Sequence, residues 1–305
     1  MIQSLQQKIT GKDGHSDMIE IMENERFRIS VKDVGAELCA FTEKMPDAAS
    51  CTAEYEHLWE GNPAVWQGQS PLLFPIVGRL REDTYQLGGT EYNMAKHGFA
   101  KHMRFTLEKK EKDMLVFVLR DTEQTRIGFP FSFALRVIYT FVPNGIRMEF
   151  RVTNTDSKTM YFSIGAHPAF RIALGDKIVL DEPETLGAYQ LDENFLRAKT
   201  QIPVFDHSDT LVITEHLFDH DALIFDGVHA KGASLIRADG HNLHVDFGGA
   251  PCLGIWAKPA APYVCIEPWY GIDDICDAGH DITKKERILA LGAGEVFRFP
   301  VTITV

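Results

Sequence analysis

The sequence predicts an all-β protein built as one large antiparallel β-sandwich. Three observations carry that expectation. Apolar residues recur with period two in segment after segment, turn signals fall between those segments, and no amphipathic helix exceeds two or three turns.

The alternation is clear at 26–31 (RFRISV), where Phe27, Ile29 and Val31 alternate with Arg28 and Ser30 and give one buried and one wet face. Segment 114–119 (MLVFVL) is apolar throughout, as a strand covered on both faces would be. Alternation returns at 135–141 (LRVIYTF) and at 147–152 (RMEFRV), where Met148, Phe150 and Val152 alternate with Arg147, Glu149 and Arg151. It recurs at 242–247 (NLHVDF) and in the closing 296–305 (VFRFPVTITV), where Pro300 lacks a backbone donor and predicts an edge or a bulge. Gly88-Gly89, Pro143-Asn144-Gly145 and Gly248-Gly249 lie at spacings that suit hairpins. The polar stretch 181–220 shows no period and is expected to pack as long loops beside the sheets. No linker, repeat or low-complexity segment divides the chain, so residues 1–305 read as a single β-sandwich domain.

Composition narrows the function. A hydrophobic content of 45% over 305 residues is that of a globular chain. Forty-three acids against 31 Lys plus Arg give a net charge of −12, which disfavours nucleic acid as a partner. The first seventeen residues hold no apolar core of signal-peptide length, and no later run approaches the ~18 apolar residues of a membrane span. A cytoplasmic protein without a membrane partner is expected, and its oligomeric state is left open. The five cysteines (Cys39, Cys51, Cys252, Cys265, Cys276) are odd in number and lack a C-x-x-C pair, which points to reduced thiols.

Four segments break the strand pattern by setting an ionisable residue beside Gly or Pro: Arg79 after Gly78, His97 before Gly98, His167 before Pro168, and Glu267 before Pro268. Taken singly, an arginine of this kind is usually an ion-paired surface residue and such a histidine a hydrogen-bonded core residue. Glu267 differs, because its neighbours Val264, Ile266 and Trp269 would shield it from water, and a shielded carboxyl has a pKa raised toward neutrality. That is the condition of a general base.

These segments, SPLLFPIVGRL (70–80), KHGFAK (96–101), SIGAHPAF (163–170) and CIEPW (265–269), resemble in order and separation the aldose 1-epimerase (galactose mutarotase-like) family. GAHPAF and EPWYG resemble its LacX-like branch. The tail KKERILALGAGEVFRF is similar to the family's closing segment, with Ala293 where a proline is common, so the likeness runs from about 70 to 300. The resemblance implies a galactose mutarotase-like supersandwich that interconverts the anomers of a free aldohexose, a small-molecule sugar. It further implies that His167 is the acid that protonates the ring oxygen and Glu267 the base that takes the anomeric proton. Arg79 and His97 match positions that hold sugar hydroxyls. For the family's substrate-binding aspartate, Asp219, Asp221 and Asp226 are available, and Asp221 best resembles the position. Trp269 and Phe74 could stack on a sugar's C–H face, although an aromatic in a sandwich is more often core. Mutarotation needs an acid and a base near neutrality and neither metal nor redox cofactor, so none is expected.

Two histidine groups, His216 and His220 with Asp219, and His241 and His244 with Asp246, offer metal-ligand types, but such clusters on loops and wet strand faces are ordinarily solvated. Three rival functions share the features above. Arg79, Arg81, Lys101, His102 and Arg104 flank two motifs and could hold the phosphate of a hexose 6-phosphate. A non-catalytic carbohydrate-binding module could use the same fold, but would have no need of the acid–base pair. A glycosidase would usually require two carboxylates about 5–10 Å apart.

Overall fold

The computed structural model describes residues 6–10, 16–45 and 53–305; Cys51 and much of the N-terminal stretch considered for a leader lie outside them. Strand dominates as expected, and the helical elements among the described residues are Glu123–Gly128 and three single-turn 3-10 segments. No helix is long and apolar enough to cross a membrane.

The N-terminal strands, from Gln6–Thr10 to Ala53–Glu56, form a five-stranded antiparallel sheet in chain order, and a fifteen-stranded antiparallel sheet takes most of the remainder. Period two decides which residues each contributes to the interior. Phe27, Ile29 and Val31 are buried, Arg28 and Ser30 only partly, and they meet Leu115, Phe117, Met148, Val152 and Val301 of the larger sheet in one core. Met114–Arg120 is buried along nearly its whole length, as its unbroken apolar run predicts.

The turn at Asn144 joins a true hairpin, with Val142 opposite Gly145, and Gly88-Gly89 joins another. Gly248-Gly249 does not. The strands before and after it, Leu243–Asp246 and Cys252–Trp256, pair with other partners, and a Cβ at Gly248 would stand 1.8 Å from the Pro300 carbonyl oxygen. This glycine permits a close backbone approach where a hairpin was expected. Pro300 itself lies opposite Glu149, at a level where pairing with the other neighbour has already ended at Thr302. Its missing donor is therefore tolerated at a local edge.

The stretch 181–220 requires a larger correction. It forms much of a long hairpin, Lys177–Leu191 with Arg197–Val212. Two causes hide it from the sequence. Among the described strands its second strand pairs with the first, apart from one isolated bridge at Arg197, and leaves most side chains exposed, so apolar residues are not demanded on either face. Repeated register shifts then break what period remains.

Five neighbouring strands, in the order Leu72–Leu73, Ile164–Ala166, Tyr263–Tyr270, Cys252–Trp256 and Leu223–Asp226, separate two apolar layers. Leu72, Leu253, Ile255, Leu223 and Phe225 point to the main core. Their alternates Leu73, Cys252, Ile224 and Trp269 form a smaller cluster on the opposite face. The Trp269 indole lies flat across two glycines of adjoining strands: a Cβ would meet its ring at 2.5 Å from Gly165 and at 2.7 Å from Gly254. Gly165→Ala or Gly254→Ala should therefore lower stability by about 1–3 kcal/mol through overpacking, read as a lower urea midpoint at unchanged m-value.

Candidate active site

His167 stands between the short strands Ile164–Ala166 and Ala169–Arg171, which both pair with Tyr263–Tyr270. The register is the same on each side of the break: Gly165 faces Trp269 and Ala169 faces Cys265, so His167 falls opposite Glu267. Pro168 has no N–H to give, yet its carbonyl accepts from the Ile266 N–H at 3.2 Å and keeps the strands together. Directly opposed side chains in an antiparallel pair start about 4.5–5.5 Å apart at Cβ. Here they converge, with His167 Nε2 3.3 Å from Glu267 Oε2.

Burial sets their protonation. Glu267 is 1% exposed and His167 8%. Desolvation holds the Glu267 carboxyl well above the usual carboxylate range; Asp221 and Asp273 push the same way and Lys96 opposes. Desolvation also holds His167 far below an ordinary histidine, with Lys101 and Lys96 adding to it. Burial thus disfavours the charged form of both groups. His167 Nδ1 is buried without a hydrogen-bond partner, an arrangement expected of an atom kept for a ligand.

His97 is clasped by Gly78. The His97 N–H donates to the Gly78 carbonyl at 2.8 Å, and the Gly78 N–H donates to His97 Nδ1 at 3.1 Å. Because Nδ1 accepts, the ring proton is on Nε2, which is left as a donor. Burial, Lys96 and Lys101 keep this imidazole neutral. Asp221 adopts a left-handed backbone, φ 68°, and its Oδ1 caps the Ala222 N–H at 2.8 Å.

His167, Glu267, His97, Asp221 and Trp269 line one cavity of about 610 Å³. Arg79 does not join them. Its guanidinium is taken up by Asp83, at 2.8 and 2.6 Å, and by the Asn194 carbonyl, so it borders a separate hollow with Arg81. Phe74 is core, packed against Phe99, Phe129, Phe133 and Phe162. Asp219 is bound to His216 at 2.9 Å and Asp226 to Arg287 at 2.8 Å, which leaves Asp221 as the aspartate of the three that reaches the cavity.

The cavity also holds residues the sequence reading missed: Trp66, Trp256, Lys96 and Asp273. The Trp66 ring stacks on His167 with centroids 5.2 Å apart, and Trp256 meets the same imidazole edge-on at 5.8 Å. Asp273 accepts the Arg79 N–H at 2.7 Å and is raised by burial. A usable signal existed for two of them, since Lys96 precedes His97 directly and Asp273 follows the EPWYG segment.

Among the described residues, the His/Cys/Asp/Glu group with ligand atoms within 4.8 Å of one another is His167, Cys265 and Glu267. These donors would suit a zinc-like ion, which would tie up the acid–base pair. Of the two histidine groups singled out in the sequence, one holds His216 against its own Asp219, and in the other His244 pairs with Asp181 and His241 stacks on Tyr55.

A family model described as aldose 1-epimerase matches residues 17–304. Protein LacX, encoded on a plasmid of Lactococcus lactis subsp. lactis, is 30% identical over 284 residues, covering 88% of this chain and 92% of that protein. A galactose mutarotase related enzyme from Lactobacillus acidophilus superposes with a TM-score of 0.85 at 30% identity, over 94% of this chain and 97% of that one. A galactose mutarotase-like protein from Lactobacillus casei ATCC 334 gives 0.85 at 27% identity, over 94% and 99%.

The raised Glu267 carboxyl makes a stability prediction. In the fold it keeps its proton at a pH where the unfolded chain, with an ordinary value of 4.5, has lost it, so its contribution declines as pH rises above that value. Glu267→Gln preserves shape without that ionisation. The stability of the variant relative to wild type should therefore increase from pH 5 to pH 8 in urea unfolding; a pH-independent difference would mean that the carboxyl titrates normally.

Proposed function

Because the chain belongs to the aldose 1-epimerase family, we propose that it is an isomerase that interconverts the α and β anomers of an aldohexose. The observation that carries this reading is the opposition of His167 and Glu267 across one register position, buried together with His167 Nε2 3.3 Å from Glu267 Oε2.

In the productive form the proton has moved from the carboxyl to the imidazole, a transfer over 3.3 Å. The Glu267 carboxylate then accepts the proton of the anomeric hydroxyl while the His167 imidazolium gives its proton to the ring oxygen. The C1–O5 bond breaks as the C1–O1 bond becomes a carbonyl, and the pair is left neutral, the state that burial favours. Rotation about C1–C2 presents the other face of the aldehyde. Reclosure returns both protons, and no electron is gained or lost overall. The Nε2–H of His97 is a donor for a sugar hydroxyl or the ring oxygen, and Asp221 an acceptor. Trp269, Trp66 and Trp256 offer flat apolar faces to the C–H side of a pyranose.

Polarimetry on fresh α-D-glucose and α-D-galactose tests the reading. Wild type should exceed the buffer rate, and His167→Ala and Glu267→Gln should each lose roughly 10²–10⁴-fold in kcat. Sugar binding without acceleration for any aldose would favour a binding module.

A further inference from the structure

Lys96 and Lys101 line the same cavity as the proton-transfer pair, and His102 lies beside them. Lys101 Nζ donates to the Lys96 carbonyl at 3.3 Å, which holds the second ammonium next to the first residue's backbone. Lys96 Nζ sits over the Phe195 ring, 4.9 Å from its centroid. Among the described residues neither ammonium has a carboxylate at ion-pair distance. The contrast with their surroundings is sharp. Lys32 in the same cavity is paired with Glu37 at 3.3 Å, Arg79 with Asp83, Arg104 with Asp33, and Lys285 with Asp274 at 2.6 Å. A chain with 43 acids and 31 Lys plus Arg has no shortage of carboxylates, yet none of the described ones stands at ion-pair distance from these two cations.

Keeping like charges close in a partly dry cavity is unfavourable until an anion arrives. Lys96 has a second use, since it opposes the upward push on Glu267 and Asp273. Lys101 disfavours the charged forms of the neighbouring His97 and His167, and its own charge is disfavoured by burial and by Lys96. The cavity of about 610 Å³ is also larger than a bare pyranose ring requires. We propose that Lys96 and Lys101 form an anion subsite, with His102 at its edge, and that the preferred substrate is an aldose carrying a phosphate ester or a carboxylate away from C1. This deepens the mutarotase reading and, for turnover, rests on it. The subsite differs from the basic set expected from sequence, because Arg79, Arg81 and Arg104 are turned to other partners and Lys96 replaces them.

Anomer exchange of glucose 6-phosphate, galactose 6-phosphate, glucuronate, glucose and galactose, followed by NMR for wild type, Lys101→Gln and Lys101→Arg, tests the proposal. A charged sugar should exceed its neutral parent by roughly ten-fold or more in kcat/KM. Lys101→Gln should collapse that ratio and Lys101→Arg should retain it; inorganic phosphate should compete, and the preference should weaken with salt. Preference for the 6-phosphates alone identifies a phosphate ester, and preference for glucuronate a carboxylate. Equal use of charged and neutral sugars, or an equal loss for both in Lys101→Gln, overturns the subsite. If no sugar turns over, calorimetry separates the two readings: tighter binding of charged sugars that Lys101→Gln abolishes keeps the subsite and discards the mutarotase, whereas indifference to charge discards the subsite.

Discussion

The site depends on one strand register. The His-Pro segment leaves the edge of Tyr263–Tyr270 for a single step and rejoins it without gaining or losing a residue, so a histidine and a glutamate that are a hundred positions apart in sequence become direct cross-strand neighbours. Side chains alternate between faces along a strand, and a slip by one residue would send Glu267 into the main core and Ile266 into the cavity. The Pro168 carbonyl bond to Ile266, the Trp269 ring seated on Gly165 and Gly254, and the packing of Ile266 in the core all hold that register. The opposition of these two side chains is a product of sheet pairing more than of loop placement.

A second constraint follows from burial. An isolated carboxylate inside a protein is costly, and this one is surrounded by apolar strand, two further acids and a neutral imidazole. Burial therefore raises the Glu267 carboxyl and depresses the His167 imidazole, each toward its uncharged form. Lys96 offsets part of this push on Glu267, but burial remains the larger influence on both groups.

Much of the fold was legible because most strands have one wet face, and Phe27, Ile29 and Val31 or Met148, Phe150 and Val152 show it directly. Arg197–Val212 was not, since an exposed edge strand with shifting register obeys no period. At the site, Glu267 could be singled out because an acid within an apolar run is costly, and His167 because of the proline after it. Arg79 misled because chain position does not fix the direction of a long side chain, and Asp83, four residues on, captures it. Trp66 and Trp256 come from segments distant from one another in sequence, and their meeting is a property of tertiary packing alone.

The placement of the tryptophans has an optical consequence. The chain contains four, and all of them gather at one end of the structure: Trp59, Trp66 and Trp256 pack around Tyr263 with centroids 5.0, 5.3 and 5.8 Å away, and Trp269 forms another wall beside His97. Emission excited at the indole band therefore originates almost entirely within a ring or two of the cavity, next to imidazole and carboxyl groups whose protonation affects it. The protein carries a built-in reporter of occupancy and proton position at this site, with little background signal from the rest of its sheets.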